Sequence, residues 1–353
     1  MYTLNDYLKY YNNISFEESP FNDMDNIAIS TLVYLPFEKI LSKDITVSLA
    51  CEKALKYENE LKESKTLLGR KAFDLLKVMA SGKRYKDIIL SNYVNVVNET
   101  VQFTALTFRF NSSCYVAFCG TDNSIVGWKE NFNLAYMYPN ETQKQAINYL
   151  KETIKANDKV IYVGGHSKGG NLAMASSMEA CDDIFNRIKV VYNNDGPGFL
   201  EKEFTSKKYQ KLSKKLNNIL PEESMVGILL DNKNYHIVKS SQKGPYQHDL
   251  TTWLCFGPFL VNGTWKNSSK KLQRKLNNWT LKIDDDNKKV LVDTFFDVIE
   301  ESGIKHFWEV RNLKWPEISL MIKEAKNIDE SSKKLLLDTL KELIEIDLTK
   351  EDK

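Results

Sequence analysis

Histidine is scarce in this chain: His166, His236, His248 and His306 are the only four among 353 residues. Any chemistry that needs a base near neutral pH therefore has few places to reside. The five cysteines, Cys51, Cys114, Cys119, Cys181 and Cys255, are odd in number and form no Cys-x-x-Cys pair. That pattern speaks against a disulfide scaffold or a structural zinc site and points to a reducing, cytoplasmic setting. No metal and no cofactor are expected. Long apolar runs are missing as well. The longest uncharged stretch, Leu250 to Trp265, is broken by Gly257, Pro258 and Gly263. It falls short of the ~20 apolar residues that a membrane-spanning helix needs. The opening Met-Tyr-Thr-Leu-Asn-Asp carries neither the basic nor the apolar region of a signal peptide. Neither sign of charge dominates: 49 basic against 47 acidic residues leave a net +2, mixed along the whole length. A dedicated nucleic-acid surface would need clustered basic residues and is not expected.

What is present is a globular composition, 42% hydrophobic and 27% charged, which sets disorder aside. Residues 1–65 read as a segment packed on the core, 66–265 as the core itself and 266–353 as a helical C-terminal region. Within the core, Ile88 to Val97, Gln102 to Phe110 and Cys114 to Cys119 have strand character. From residue 142 helix and strand alternate. Thr142 to Ala156 and Gly169 to Ala180 are helical, and Val160 to Gly164 and Ile188 to Tyr192 are short apolar strands. Such alternation predicts an α/β fold with a mostly parallel central sheet flanked by helices. Two further strands are expected at Met225–Leu230 and Tyr235–Lys239, joined by a turn at residues 231–234. Amphipathic helices are expected at Leu291–Ile299 and Leu335–Ile346. The aromatics Trp253, Phe256, Phe259 and Trp265 are expected to form a buried wall of the core, with transient contact to a lipid surface as the alternative.

The strongest signal is Gly165-His166-Ser167-Lys168-Gly169, a Gly-x-Ser-x-Gly run entered by an apolar strand and left by a small-residue helix. In that setting the turn strains the serine and raises its hydroxyl at the exposed end of the sheet. A serine hydroxyl needs a base to act as a nucleophile near neutral pH. The partners of such an elbow follow in the order Ser, acid, His. His166 lies inside the elbow, His236 in a strand-like run and His306 in the helical tail, which leaves His248 as the base. The acid should end a strand between the two. Asp195, in Asn193-Asn194-Asp195-Gly196-Pro197-Gly198, fits best, with Asp231 second and Glu222 or Glu223 third. The oxyanion donors expected are the amides of Lys168 and of Thr121, the latter following the strand Val116–Cys119.

These residues resemble the lipase-like branch of the α/β-hydrolases. Phe118-Cys119-Gly120-Thr121 followed by Ser124-Ile125-Val126-Gly127-Trp128 is similar to the oxyanion strand and lid start of class 3 lipases, although arginine usually stands where Cys119 is. More closely, Gly120-Thr121-Asp122, the elbow run to Ala173, Asn193 to Phe199 and Gln247-His248-Asp249 resemble the bacterial "Mbeg-like" hydrolases, a family catalogued as of unknown function. Ser19-Pro20-Phe21-Asn22 and Tyr34-Leu35-Pro36-Phe37 are similar to it too. The resemblance implies an α/β-hydrolase fold with a helical C-terminal appendage and a serine-hydrolase site. Class 3 lipases place the acid after a later strand, near Glu222–Ser224 here, whereas Asp195 matches lipases whose acid follows the preceding strand.

The reading that results is a serine-dependent, lipase- or esterase-like hydrolase of a small-molecule or lipid ester. The alternatives are an acyltransferase or thioesterase, and a catalytically silent module acting as a binding scaffold. The segment Asn123 to Pro139 is rich in apolar residues and starts at the oxyanion donor. It is expected to cover the Ser167 pocket, either as a lid that opens at a lipid surface or as a fixed connection.

Overall fold

A computed structural model describes residues 2–63, 67–122, 124–304, 309 and 313–344. Eight strands form one sheet: β1 (Ile45–Thr46), β2 (Ile89–Val97), β3 (Gln102–Phe110), β4 (Ser113–Phe118), β5 (Val160–His166), β6 (Ile188–Asn194), β7 (Leu216–Pro221) and β8 (Tyr235–Val238). Their spatial order follows the sequence. β1 to β4 pair antiparallel and β4 to β8 pair parallel. Alternation along each strand feeds two separate cores, because successive side chains leave a strand on opposite faces. In β4, Cys114, Val116 and Phe118 enter one cluster while Tyr115 and Ala117 enter the other. In β5, Ile161 and Val163 oppose Tyr162 in the same way.

Sequential parallel strands have a consequence for the layers. Right-handed crossovers that always step in one direction put every connecting helix on one face of the sheet. The other face must be covered from elsewhere, and the N-terminal residues do so. Helices α1 (Leu4–Tyr11), α2 (Asp23–Leu32), α3 (Val47–Ala54) and α4 (Leu67–Ser81) share a cluster with Leu106, Tyr115, Tyr162 and Tyr192 of the sheet. After β4 comes α5 (Ile125–Asn133), and then the crossover helices α6 (Glu141–Thr153), α7 (Lys168–Met178), α8 (Asp182–Arg187) and α9 (Lys207–Leu212). Ala146, Leu172, Phe185 and Tyr209 of these four meet in the opposite cluster. The molecule is thus a mixed α/β fold with a central sheet flanked by helices.

A buried charge pair ties the N-terminal layer down. The Arg84 guanidinium grips Asp25 of α2 at 2.7 and 2.6 Å and donates to the carbonyls of Ile14, Ser15, Ser19 and Pro20. Asn26 and Asn194 exchange amide hydrogen bonds at 2.8 and 3.0 Å, joining α2 to the end of β6. Beyond the sheet lie α10 (Asn267–Lys282), α11 (Asp285–Glu301), α12 (Trp315–Glu324) and α13 (Glu330–Ile344). The last three share a small cluster of their own, and α11 also packs Val292, Phe296 and Ile299 against Ile125 and Trp128 of α5.

Two expectations need correction. The strand expected at Met225–Leu230 is a turn, and β7 is formed instead by Leu216–Pro221. Its Asn217 and Asn218 disguise it, yet Asn218 accepts from Asn193 and donates to the Lys233 carbonyl, so the buried polar side chain is satisfied. The aromatic run does not form one buried wall. Trp253 is fully buried, but Phe256 and Phe259 stand 75% and 69% exposed on a hairpin of β9 (Cys255–Phe256) and β10 (Phe259–Leu260). All five cysteines are free, and only Cys181 is exposed. Among the described residues, no helix is long and apolar enough to cross a membrane. His306, Asn123 and Ile346 lie outside the described residues.

Candidate active site

β5 enters a sharp turn at Ser167, whose φ of 58° and ψ of −129° lie where non-glycine residues are rarely found. Glycines at two flanking positions permit this approach. A Cβ on Gly169 would sit 2.1 Å from the Phe118 carbonyl oxygen, and one on Gly165 2.5 Å from the Gly169 backbone. Strand, turn and helix are buried from Ile161 to Met178 except at Ser167, which is half-exposed. The Ser167 amide donates to the Asn194 carbonyl at 3.0 Å, pinning the turn to β6.

Asp195 follows the last residue of β6 with φ 51° and no exposure. Its Oδ2 lies 2.7 Å from Nδ1 of His248. Its Oδ1 accepts from the Ser224 hydroxyl at 2.5 Å and the Gly227 amide at 3.1 Å. The carboxylate is therefore fixed on both oxygens, and the Asp195 contact makes Nδ1 of His248 the protonated nitrogen, leaving the lone pair on Nε2. Asp231 pairs through its backbone with Phe199, and Glu223 serves Gln247 and the Gly244 amide; neither bonds His248. Glu222 accepts from the Thr264 amide. Ser224 bonds Asp195, not His248.

The loop that carries His248 is held at each of its three residues. Gln247 donates to Glu223 at 2.7 Å and its carbonyl accepts from the Trp253 indole at 2.8 Å. The His248 carbonyl accepts from His166 Nε2 at 2.7 Å. Asp249 is bonded by Lys71 of α4. A carbonyl only accepts, so His166 carries its proton on Nε2, and its Nδ1 accepts the Tyr34 hydroxyl hydrogen at 2.9 Å. Burial, with the neighbouring His248 second, pulls the His166 pKa down to about 3, so the ring is neutral. His236 bonds Asn262 and takes no part.

Thr121 follows β4, and its hydroxyl accepts from Asn131 of α5 at 2.7 Å. Lys168 opens α7, with its amide at the helix start. Neither the Thr121 amide nor the Lys168 amide donates to a group among the described residues. The Lys168 side chain is buried against Glu130 of α5, at 3.1 Å. Of the residues that shape this site, Tyr34, Lys71, Glu130, Asn131, His166 and Ser224 carry no role that the sequence alone assigns. Only His166 of these lies in the motif itself; the others meet their partners across 10 residues of chain, as Asn131 does with Thr121, up to 178, as Lys71 does with Asp249.

A family model described as Mbeg1-like matches residues 79–297, more than half of the chain. No curated protein matches it.

Proposed function

This chain belongs to the Mbeg1-like family, and on that premise we propose that it is a serine hydrolase of carboxylic esters. The reading takes the mixed α/β sheet as an α/β-hydrolase fold, with the helices from Asn267 onward as its appendage. One observation carries it: the fully buried Asp195 carboxylate lies 2.7 Å from His248 Nδ1, and the strained Ser167 turn is pinned through its amide to Asn194, the residue before that aspartate.

In the proposed mechanism, Ser167 Oγ attacks the ester carbonyl carbon while His248 Nε2 takes the hydroxyl proton. The carbonyl π pair moves onto oxygen, which the amides of Thr121 and Lys168 receive. Collapse of this tetrahedral adduct breaks the bond to the leaving oxygen, and His248 returns the proton to the departing alcohol. Water, deprotonated by the same nitrogen, then attacks the acyl carbon, and that proton passes to Ser167 Oγ as its bond to the carbon breaks and the acid leaves. Asp195 keeps its charge throughout and holds the imidazole in the tautomer this sequence needs. The unpaired cysteines suit a reducing compartment, and the cytoplasm is the proposed location.

A fluorophosphonate probe tests the reading. The expected result is a single adduct on Ser167, lost in Ser167→Ala with the fold unchanged. No adduct on folded wild-type protein would overturn it. Asp195→Asn should keep the fold and lower kcat by about 10⁴, as the equivalent change does in serine proteases, whereas Asp231→Asn should cost less than about tenfold. The reverse ranking would move the acid to Asp231.

A further inference from the structure

The residue after the proposed nucleophile is a lysine with a side chain only 1% exposed. Its Nζ has three acceptors: the Gln102 carbonyl at 2.8 Å, the Gln102 side-chain oxygen at 2.7 Å and Glu130 Oε2 at 3.1 Å. An ammonium has three protons, so all are placed. Glu130, 4% exposed, accepts in turn from the Gln102 amide at 2.9 Å. Burial alone pulls the Lys168 pKa down and pushes the Glu130 pKa up, and each partner opposes the shift of the other.

Such a pair is a poor way to gain stability. Two charges lose their hydration, and well-packed apolar residues of similar volume commonly do as well or better. What the pair offers is direction. An apolar side chain at position 168 would be held by shape alone, whereas a tethered ammonium fixes the side chain at its far end as well. The main chain of residue 168 is thereby set from both sides, by the strained Ser167 turn and by the β3 and α5 anchors.

We propose that Glu130 and Gln102 are positioning residues, which through the Lys168 ammonium aim the residue-168 amide at the oxyanion. The proposal rests on the serine-hydrolase reading and deepens it. It also makes α5 the outer half of the oxyanion site, with Glu130 reaching one donor residue and Asn131 the other. Because the amide is needed when charge develops on the carbonyl oxygen, loss of aim should lower kcat and leave KM nearly unchanged.

The test replaces the pair by apolar residues, Lys168→Met with Glu130→Leu, and follows p-nitrophenyl butyrate hydrolysis, thermal unfolding and fluorophosphonate labelling. The double variant should unfold at or above the wild-type temperature. Its kcat should fall about 10²-fold, the cost of a small misplacement of a catalytic group, with KM within about threefold. Wild-type kcat in the folded double variant would overturn the proposal and leave the pair a structural one. Should the double variant not fold, Glu130→Gln keeps the shape and one acceptor oxygen but removes the charge that holds the ammonium. There a tenfold or larger fall in kcat with an unchanged circular dichroism spectrum supports the proposal, and an unchanged kcat overturns it. Labelling of wild-type Ser167 separates the two levels: its absence refutes the hydrolase reading, whereas its presence with active variants refutes only the positioning role.

Discussion

His166 is a residue whose proton affinity the fold alters strongly. Its pKa falls from 6.5 to about 3 because burial disfavours the cation, and His248 adds to the effect. Between those values the unfolded chain binds one more proton than the folded one, so stability rises with pH across that window. It is fully present above about 6.5 and is lost as pH falls, by up to about 1.4 kcal/mol per unit. Unfolding by urea at pH 7 and pH 5 should therefore differ by about 2 kcal/mol from this group alone. His166→Gln should remove that part of the difference; an unchanged pH dependence would mean that the imidazole is not held neutral. Ser167 and His248, the proposed nucleophile and base, stand out in the sequence because the motif and the count of histidines leave so few choices. Asp195 is legible because a strand ends there. The second purpose of His166 is not, since a histidine in the motif looks the same whether its ring faces solvent or the carbonyl of a residue 82 positions later.

At the scale of elements, α5 decides between two pictures of the segment from Asn123 to Pro139. Outward movement would carry Glu130 away from Lys168, 1% exposed, and leave the ammonium buried without its carboxylate. On its other side α5 is held by Lys129 on Asp293 at 3.0 Å and by Phe132 against Phe296 at 5.5 Å between ring centres. The helix is therefore expected to stay in place during turnover. Rates with a short-chain ester should follow one smooth hyperbola through the micelle threshold, and Trp128→Ala should cost about 2 kcal/mol in urea unfolding. A jump at the threshold would show that α5 does open. The elements themselves are read well where period and context agree, as in β3, which runs from Gln102 to Phe110 as expected. They are read badly where side chains serve other needs. β7 spends two of six positions on asparagine, while the apolar residues 225–230 form a turn beside Asp195, whose Gly227 amide bonds the carboxylate.

For the whole molecule, the order of the strands is the governing fact. Because every crossover returns on the same side, the helices between Leu4 and Ala54 are as much a part of the core as the elbow is, and Asp25 on Arg84 ties them to the rest. The alternating helices and strands announce the sheet; nothing in residues 1–65 announces which face they cover, since their partners lie far along the chain, 59 positions from Asp25 to Arg84 and 168 from Asn26 to Asn194. The same two-layered burial governs the thiols. Desolvation raises the pKa of Cys114 to about 12 and of Cys255 to about 11, and raises those of Cys51 and Cys119 as well. Alkylating reagents and disulfide exchangers react with the thiolate, so these four are silent in the folded chain. Cys181, just ahead of α8, is the exposed one. A chromogenic disulfide should count one thiol in the native protein and five in guanidinium; more than one at native pH would show that a buried layer opens. A maleimide fluorophore would then seat itself at one defined position without any engineered cysteine, giving a ready-made reporter on the helical face opposite the N-terminal cover.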